Sequence, residues 1–157
     1  MDKPFLYPES QDGGDAMTKN ILVVDDSFIM RTIIKDIVES DPELKVVGFA
    51  ENGKIGLQKT RELKPDALIL DLEMPEMSGI DMMKRLALVS KAKVVVVSSV
   101  GQVGSPQAVQ ARQLGAADII AKPSGAMSLD LQAKKGHEIV QALRRALGLD
   151  PAPSGND

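Results

Sequence analysis

Three uninterrupted apolar runs, Ile21-Leu22-Val23-Val24, Ala67-Leu68-Ile69-Leu70 and Val94-Val95-Val96-Val97, constrain the fold of this chain more than any other feature. A strand with one wet face alternates apolar and polar side chains, so a run without alternation fits a strand covered on both faces of a parallel sheet. With two weaker segments the expected strands are 20–25, 45–50, Ala67–Asp71, Lys93–Ser98 and Asp118–Ala121.

The stretches between them have helical spacing and helix signals. Met30, Ile33, Ile34, Ile37 and Val38 share one face, and Pro42 lies beyond them. A second helix over 54–63 stops before Pro65, and Ser78-Gly79-Ile80-Asp81 is a capping box opening a third that runs to about Val89. Ser105-Pro106 places a cap and a first-turn proline before a fourth, ending near Gly115. Ile139, Val140, Leu143 and Leu147 stripe the last helix, which His137 is expected to open. Five β-α units of these lengths predict an α/β fold, a doubly wound five-stranded parallel sheet with strand order 2-1-3-4-5.

Residues 1–18, with two prolines, two glycines and no period, are expected to form a flexible extension; 19–149 are the folded domain and 150–157 a polar tail. A net charge of −3 argues against a nucleic-acid partner. Zero cysteines exclude disulfides, thiolate metal sites and cysteine nucleophiles. No apolar run approaches the roughly 18 residues of a membrane span, and the first residues lack the order of a signal peptide, so a cytoplasmic location is expected.

The strand ends carry the chemistry. The first run closes on Asp25-Asp26, the third strand on Asp71, the fourth on Ser98, and the fifth is followed by Lys122-Pro123. Open α/β sheets bind ligands at the carboxyl ends of their strands, where the order reverses. Strands one and three are neighbours in the expected order, which brings Asp25, Asp26 and Asp71 together. Three carboxylates this close repel unless a cation or protons neutralise them. Oxygen donors without nearby His or Cys select Mg²⁺, with Mn²⁺ as the alternative. A carboxylate can attack phosphorus to give an acyl phosphate once the charge on the transferring group is offset. Lys122 would supply positive charge to a phosphoryl oxygen and Ser98 a hydroxyl donor.

These residues, together with Ser27, Met74-Pro75 and Gly79, resemble the response-regulator receiver domain of two-component signalling, whose fold is flavodoxin-like. The resemblance runs from about Asn20 to Leu147. It implies that Asp71 is the phosphoacceptor, and that Asp26, Asp71 and the Glu73 carbonyl hold Mg²⁺ with Asp25 acting directly or through water. It also implies a sensor histidine kinase or phosphotransfer protein as donor. Two departures stand out. Receivers commonly carry an aromatic residue three positions before the lysine, where this chain has Ile119. They also enter the last helix soon after Lys-Pro, whereas residues 122–136 here suggest an intervening loop. That loop, with Glu73-Met74-Pro75 and Val97-Ser98-Ser99, resembles the receiver half of chemotaxis-type methylesterases, without the esterase half.

The expected function is a single-domain regulator, phosphorylated on Asp71 and not a turnover enzyme, whose output is contact with a downstream protein or phosphate drainage. Two alternatives stand beside it. One is a phosphoaspartate-type phosphohydrolase, with Glu73 as the second acid two residues after the nucleophile. The other is the regulatory half of a methylesterase separated from its output domain. His137 is expected to be a surface residue, Gly101–Gly104 a loop, and Arg144-Arg145 a solvated face.

Overall fold

The computed structural model describes residues 18–99, 103–123 and 129–149, with side chains left aside at 129–131. The expected extension, except for Thr18, and the whole expected tail lie outside these residues, as do Gly101 and Gln102 of the Gly101–Gly104 loop. In chain order the elements are β1 (Lys19–Val24), α1 (Phe28–Glu39), β2 (Leu44–Ala50), α2 (Gly53–Leu63), β3 (Ala67–Asp71), α3 (Gly79–Val89), β4 (Lys93–Ser98), α4 (Pro106–Gln113), β5 (Asp118–Ala121) and α5 (Leu129–Ala146). The five strands form one sheet in the order β2-β1-β3-β4-β5, and every pairing is parallel. The expected fold class and strand order are those observed.

Alternate residues of each central strand feed opposite layers. Leu22, Val24, Leu68, Leu70, Val94 and Val96 pack with Leu57 of α2 and with Ile80, Met82 and Leu86 of α3. Ile21, Val23, Ile69, Val95 and Val97 pack with Ile34 and Val38 of α1 and with Ile139 and Leu143 of α5. Two-sided burial is why the runs show no alternation. Each helix from α1 to α4 begins on a side-chain cap: Ser27, Asn52, Ser78 and Ser105 accept from Met30, Ile55, Asp81 and Ala108 respectively. Two of these caps, Ser78 and Ser105, are the expected serines; Ser27 and Asn52 supply the others. Among the described residues no helix is long and apolar enough to cross a membrane.

Two expectations are corrected here. The last helix begins at Leu129, so the loop after Lys122-Pro123 is much shorter than 122–136, and His137 lies inside α5 rather than at its start. The Gln, Ala and Lys residues at 132–135 are strong helix formers. Gly136, which closed the expected loop, is instead buried where α5 meets α1; a Cβ there would stand 3.3 Å from Ile37 Cγ1. The second correction concerns Arg144, read as a solvated cation. Only 6% exposed, it reaches Asp41 Oδ2 at 2.8 Å and Glu43 Oε1 at 2.9 Å. It ties α5 to the turn before β2. Arg145 next to it is exposed and pairs with Asp118 at 3.0 Å.

Asp41 is itself 6% exposed, so removing its partner leaves a buried carboxylate without a counter-charge. Arg144→Ala is therefore expected to destabilise the fold by about 3 kcal/mol. Arg145→Ala, at an exposed pair, should cost under about 1 kcal/mol. Urea unfolding of both variants checks the contrast, and equal losses would contradict it.

Candidate functional site

Strand register sets the site. Val24 pairs with Leu70, so Asp25 and Asp71 follow at the same level at the carboxyl ends of β1 and β3. Asp71 pairs with Val97 and Ser98 with Ala121, which brings Ser98 and then Lys122 to the same edge. One carboxylate oxygen from each of Asp25, Asp26 and Asp71 lies within 4.8 Å of the others. Asp25 and Asp71 are buried and Asp26 is exposed, so the cluster has a buried floor and an open mouth. Lys122 Nζ stands 3.1 Å from Asp25 Oδ2 and 3.1 Å from Asp71 Oδ2. Four expected residues thus converge from three strand ends.

The backbone holds these groups in place. Asp25 N–H donates to the Ala50 carbonyl at 3.0 Å, extending the β1–β2 ladder past the strand. Asp25 Oδ1 accepts from Ser27 N–H at 2.9 Å, and the Asp25 carbonyl accepts from Arg31 Nη1 at 2.7 Å. Arg31 escaped the sequence reading; its signal was its place one turn after the Ser27 cap. Asp71 Oδ1 accepts from Glu73 N–H at 3.2 Å. Gly79 is needed because a Cβ there would overlap the Asp71 carbonyl and the Leu72 Cα; its N–H donates to the Leu72 carbonyl at 3.0 Å. Ser98 is fully buried, its carbonyl accepts from Lys122 N–H at 2.8 Å, and its Oγ has no partner among the described residues. His137 is not part of this cluster: its ring lies 3.4 Å from Gln141 Nε2 within α5.

The donors suit a hard divalent cation. All three side chains offer oxygen, one is open to solvent, and Asp25 Oδ2 is buried facing the Lys122 ammonium at 3.1 Å. Asp25, Asp26 and Asp71 are the residues that could hold such an ion, with Glu73 beside them in the chain.

Burial, then the neighbouring Asp25 carboxylate, push the Asp71 carboxyl up from 3.8 to about 6, although Lys122 and the Glu73 amide pull the other way. Burial alone would lower the Lys122 ammonium, but the Asp25 and Asp71 carboxylates outweigh it and hold it above its ordinary value. A carboxyl raised on folding favours the native state while protonated, and that favour is lost as pH rises from about 4 to about 6. Without divalent cations, ionised Asp71 therefore costs up to about 3 kcal/mol above pH 6, at 1.36 kcal/mol per pKa unit. Asp71→Asn is expected to raise the melting temperature of the cation-free protein at pH 7.5, with little gain at pH 4. Thermal unfolding in chelator across that range checks this; a gain independent of pH would contradict it.

The comparisons agree with this geometry. The sequence model of the response regulator receiver domain matches residues 21–134. The protein-glutamate methylesterase/protein-glutamine glutaminase 1 of Syntrophomonas wolfei is 45% identical over 128 residues, which cover 82% of this chain and 36% of that protein. Its Thermotoga maritima counterpart is 40% identical over 131 residues, covering 83% of this chain and 38% of the relative. The chain thus spans little more than a third of the length of these curated relatives. Among solved structures, the response regulator domain of Thermotoga maritima CheB superposes with a TM-score of 0.75 at 40% identity, over 85% of this chain and 99% of that one. A chain from the complex of the CheA3 P1 domain with CheY6 of R. sphaeroides matches with a TM-score of 0.69 at 37% identity, over 83% of this chain and 97% of that one. Register, converging charges and sequence match lead to one assignment: this chain belongs to the response regulator receiver domain family.

Proposed function

We propose that Asp71 accepts a phosphoryl group from a histidine kinase or phosphotransfer protein in the cytoplasm, and that the phosphorylated domain changes its affinity for a downstream protein. The observation that carries this reading is the buried Asp71 carboxylate, held 3.1 Å from the Lys122 ammonium beside two further aspartates. The match to a chain solved in a complex with a P1 domain supports a phosphotransfer partner.

In the transfer, an Asp71 carboxylate oxygen bonds to phosphorus while the bond from phosphorus to the donor's imidazole nitrogen breaks. Lys122 stays beside the nucleophile and offsets the charge on the phosphoryl oxygens. Ser98 Oγ, buried with no partner, is a hydroxyl available to donate to another. The Glu73 amide orients Asp71 by its hydrogen bond to Oδ1. Mg²⁺, or Mn²⁺ in its place, when held by Asp25, Asp26 and Asp71 and by the Glu73 carbonyl, would supply further charge neutralisation and alignment.

Whether the output is carried by this domain alone or by an appended catalytic domain divides two versions of the reading. The methylesterase relatives, nearly three times as long as the aligned region, favour the regulatory half of such an enzyme. The single-domain version rests on the acceptor site, which requires no esterase. Both versions share the chemistry at Asp71.

A small-molecule phosphodonor with Mg²⁺ is expected to add one phosphoryl group, seen by intact-protein mass spectrometry. Asp71→Asn should abolish the adduct; full labelling of that variant would sink the assignment. Lys122→Ala should still be labelled but lose most of the conformational response in amide NMR shifts, and an undiminished response would remove Lys122 from that role.

A further inference from the structure

The end of the sheet opposite the acidic cluster carries a second feature. A groove of about 460 Å³ lies between the last turn of α2 and the turn joining α3 to β4, lined by Arg61, Lys64, Pro65, Asp66, Val89 and Lys91, among others. Its size is at the lower end of the roughly 300–1,000 Å³ usual for ligand sites, room for one or two side chains. Arg61, Lys64 and Lys91 are exposed and make no ion pair among the described residues. Two helix C-termini contribute about half a negative charge each. With the Asp66 carboxylate, which accepts from Asn20 N–H, three cations still leave about one positive charge in surplus. Val89 on the rim is 42% exposed and Leu88 beside it in the chain is 86% exposed. A basic groove with an apolar rim suits an acidic segment bearing large apolar side chains.

The chain contains such a segment, and it enters the fold at this groove. Asn20, the second residue of β1, exchanges hydrogen bonds with groove-lining Asp66: Asn20 N–H donates to Asp66 Oδ2, and Asp66 N–H to the Asn20 carbonyl, both at 2.8 Å. Residues 1–17 contain Asp2, Glu9, Asp12 and Asp15 against the lone Lys3, and Phe5-Leu6-Tyr7 is their apolar cluster. Ten residues lie between Tyr7 and Thr18, eleven Cα–Cα steps that span at most about 40 Å and, for a flexible chain, on the order of 17–20 Å. A tether that short holds the cluster near millimolar effective concentration, so an intrinsic Kd near 1 mM gives substantial docking. We propose that the Phe5-Leu6-Tyr7 segment docks intramolecularly into the Arg61–Lys64–Lys91 groove at the amino-terminal end of the sheet.

Tyr7 is the sole tyrosine and the chain has no tryptophan, so its fluorescence reports this segment alone. In the full chain, acrylamide should quench Tyr7 about twofold less than in a synthetic peptide of residues 1–17, because a half-docked population leaves half exposed. The double variant Arg61→Glu, Lys91→Glu should restore peptide-like quenching while Asp71 phosphorylation is unchanged. A second variant, Phe5→Ser with Leu6→Ser, leaves the folded body untouched and should shift the Ser90, Lys91 and Ala92 amide signals. Quenching equal to the peptide's, or protection that survives both variants, would overturn the proposal. Protection that grows with protein concentration would also overturn it, by assigning the groove to the segment of a second copy.

Discussion

Two buried carboxylates at one sheet edge cannot both stay ionised without a cation between them, and the site is organised by that constraint. Asp25 and Asp71 follow register-matched residues of adjacent parallel strands, so the fold itself forces them together. Lys122 lies 3.1 Å from both, supplying the one positive charge the described residues place between them. It does not fully compensate: burial and the Asp25 charge still hold Asp71 well above an ordinary aspartate. That residual electrostatic strain is what makes the edge receptive to further positive charge, and it explains why an acidic cluster persists where an apolar sheet end would be more stable.

How much of this could be read from the sequence depends on which physical signal each element carries. β3, β4 and β5 have the boundaries expected, because a strand buried on both faces leaves a run with abrupt ends. β1 and β2 differ by one residue, where ladder pairing and apolar character part company. The acids and Lys122 were legible because charged residues ending apolar runs have one sensible place in an open α/β sheet. Arg31 and Arg144 were not. An arginine's reach is long, and whether it ends in water or on a buried acid depends on which helix crosses which turn. The Arg144–Asp41 hydrogen bond spans 103 positions of sequence, beyond any local pattern. The start of α5 was missed for a related reason: Gly136 is a helix breaker by propensity, but it sits inside α5 where that helix packs closely on α1.

Parallel strands also give the molecule two chemically different ends. The carboxyl ends gather Asp25, Asp26 and Asp71, while the opposite end presents Arg61, Lys64 and Lys91 near the last turns of α2 and α3. Cations at helix C-termini are favourable in themselves, so the separation of charge follows partly from the βα repeat and needs no selection for binding. What the repeat does not explain is the apolar rim and the surplus of full charges over helix dipoles.

Ile119 bears on how a change at Asp71 could travel. Without an aromatic ring at this position, no ring rotation can couple the site to the surface here. Ile119 is 5% exposed and packs in the same cluster as Ala108 and Ala111 of α4. Those two alanines are the only buried residues within that eight-residue helix, and two buried methyl groups anchor it by about 1–2 kcal/mol. By contrast α5 buries Ile139, Val140, Ala142 and Leu143, and has the Arg144 pair besides. A hydrogen bond gained by Ser98 Oγ is worth about 0.5–1.5 kcal/mol, comparable with the anchoring of α4 and far below that of α5. A small free-energy change at the strand end is therefore comparable with what anchors α4 and far below what anchors α5.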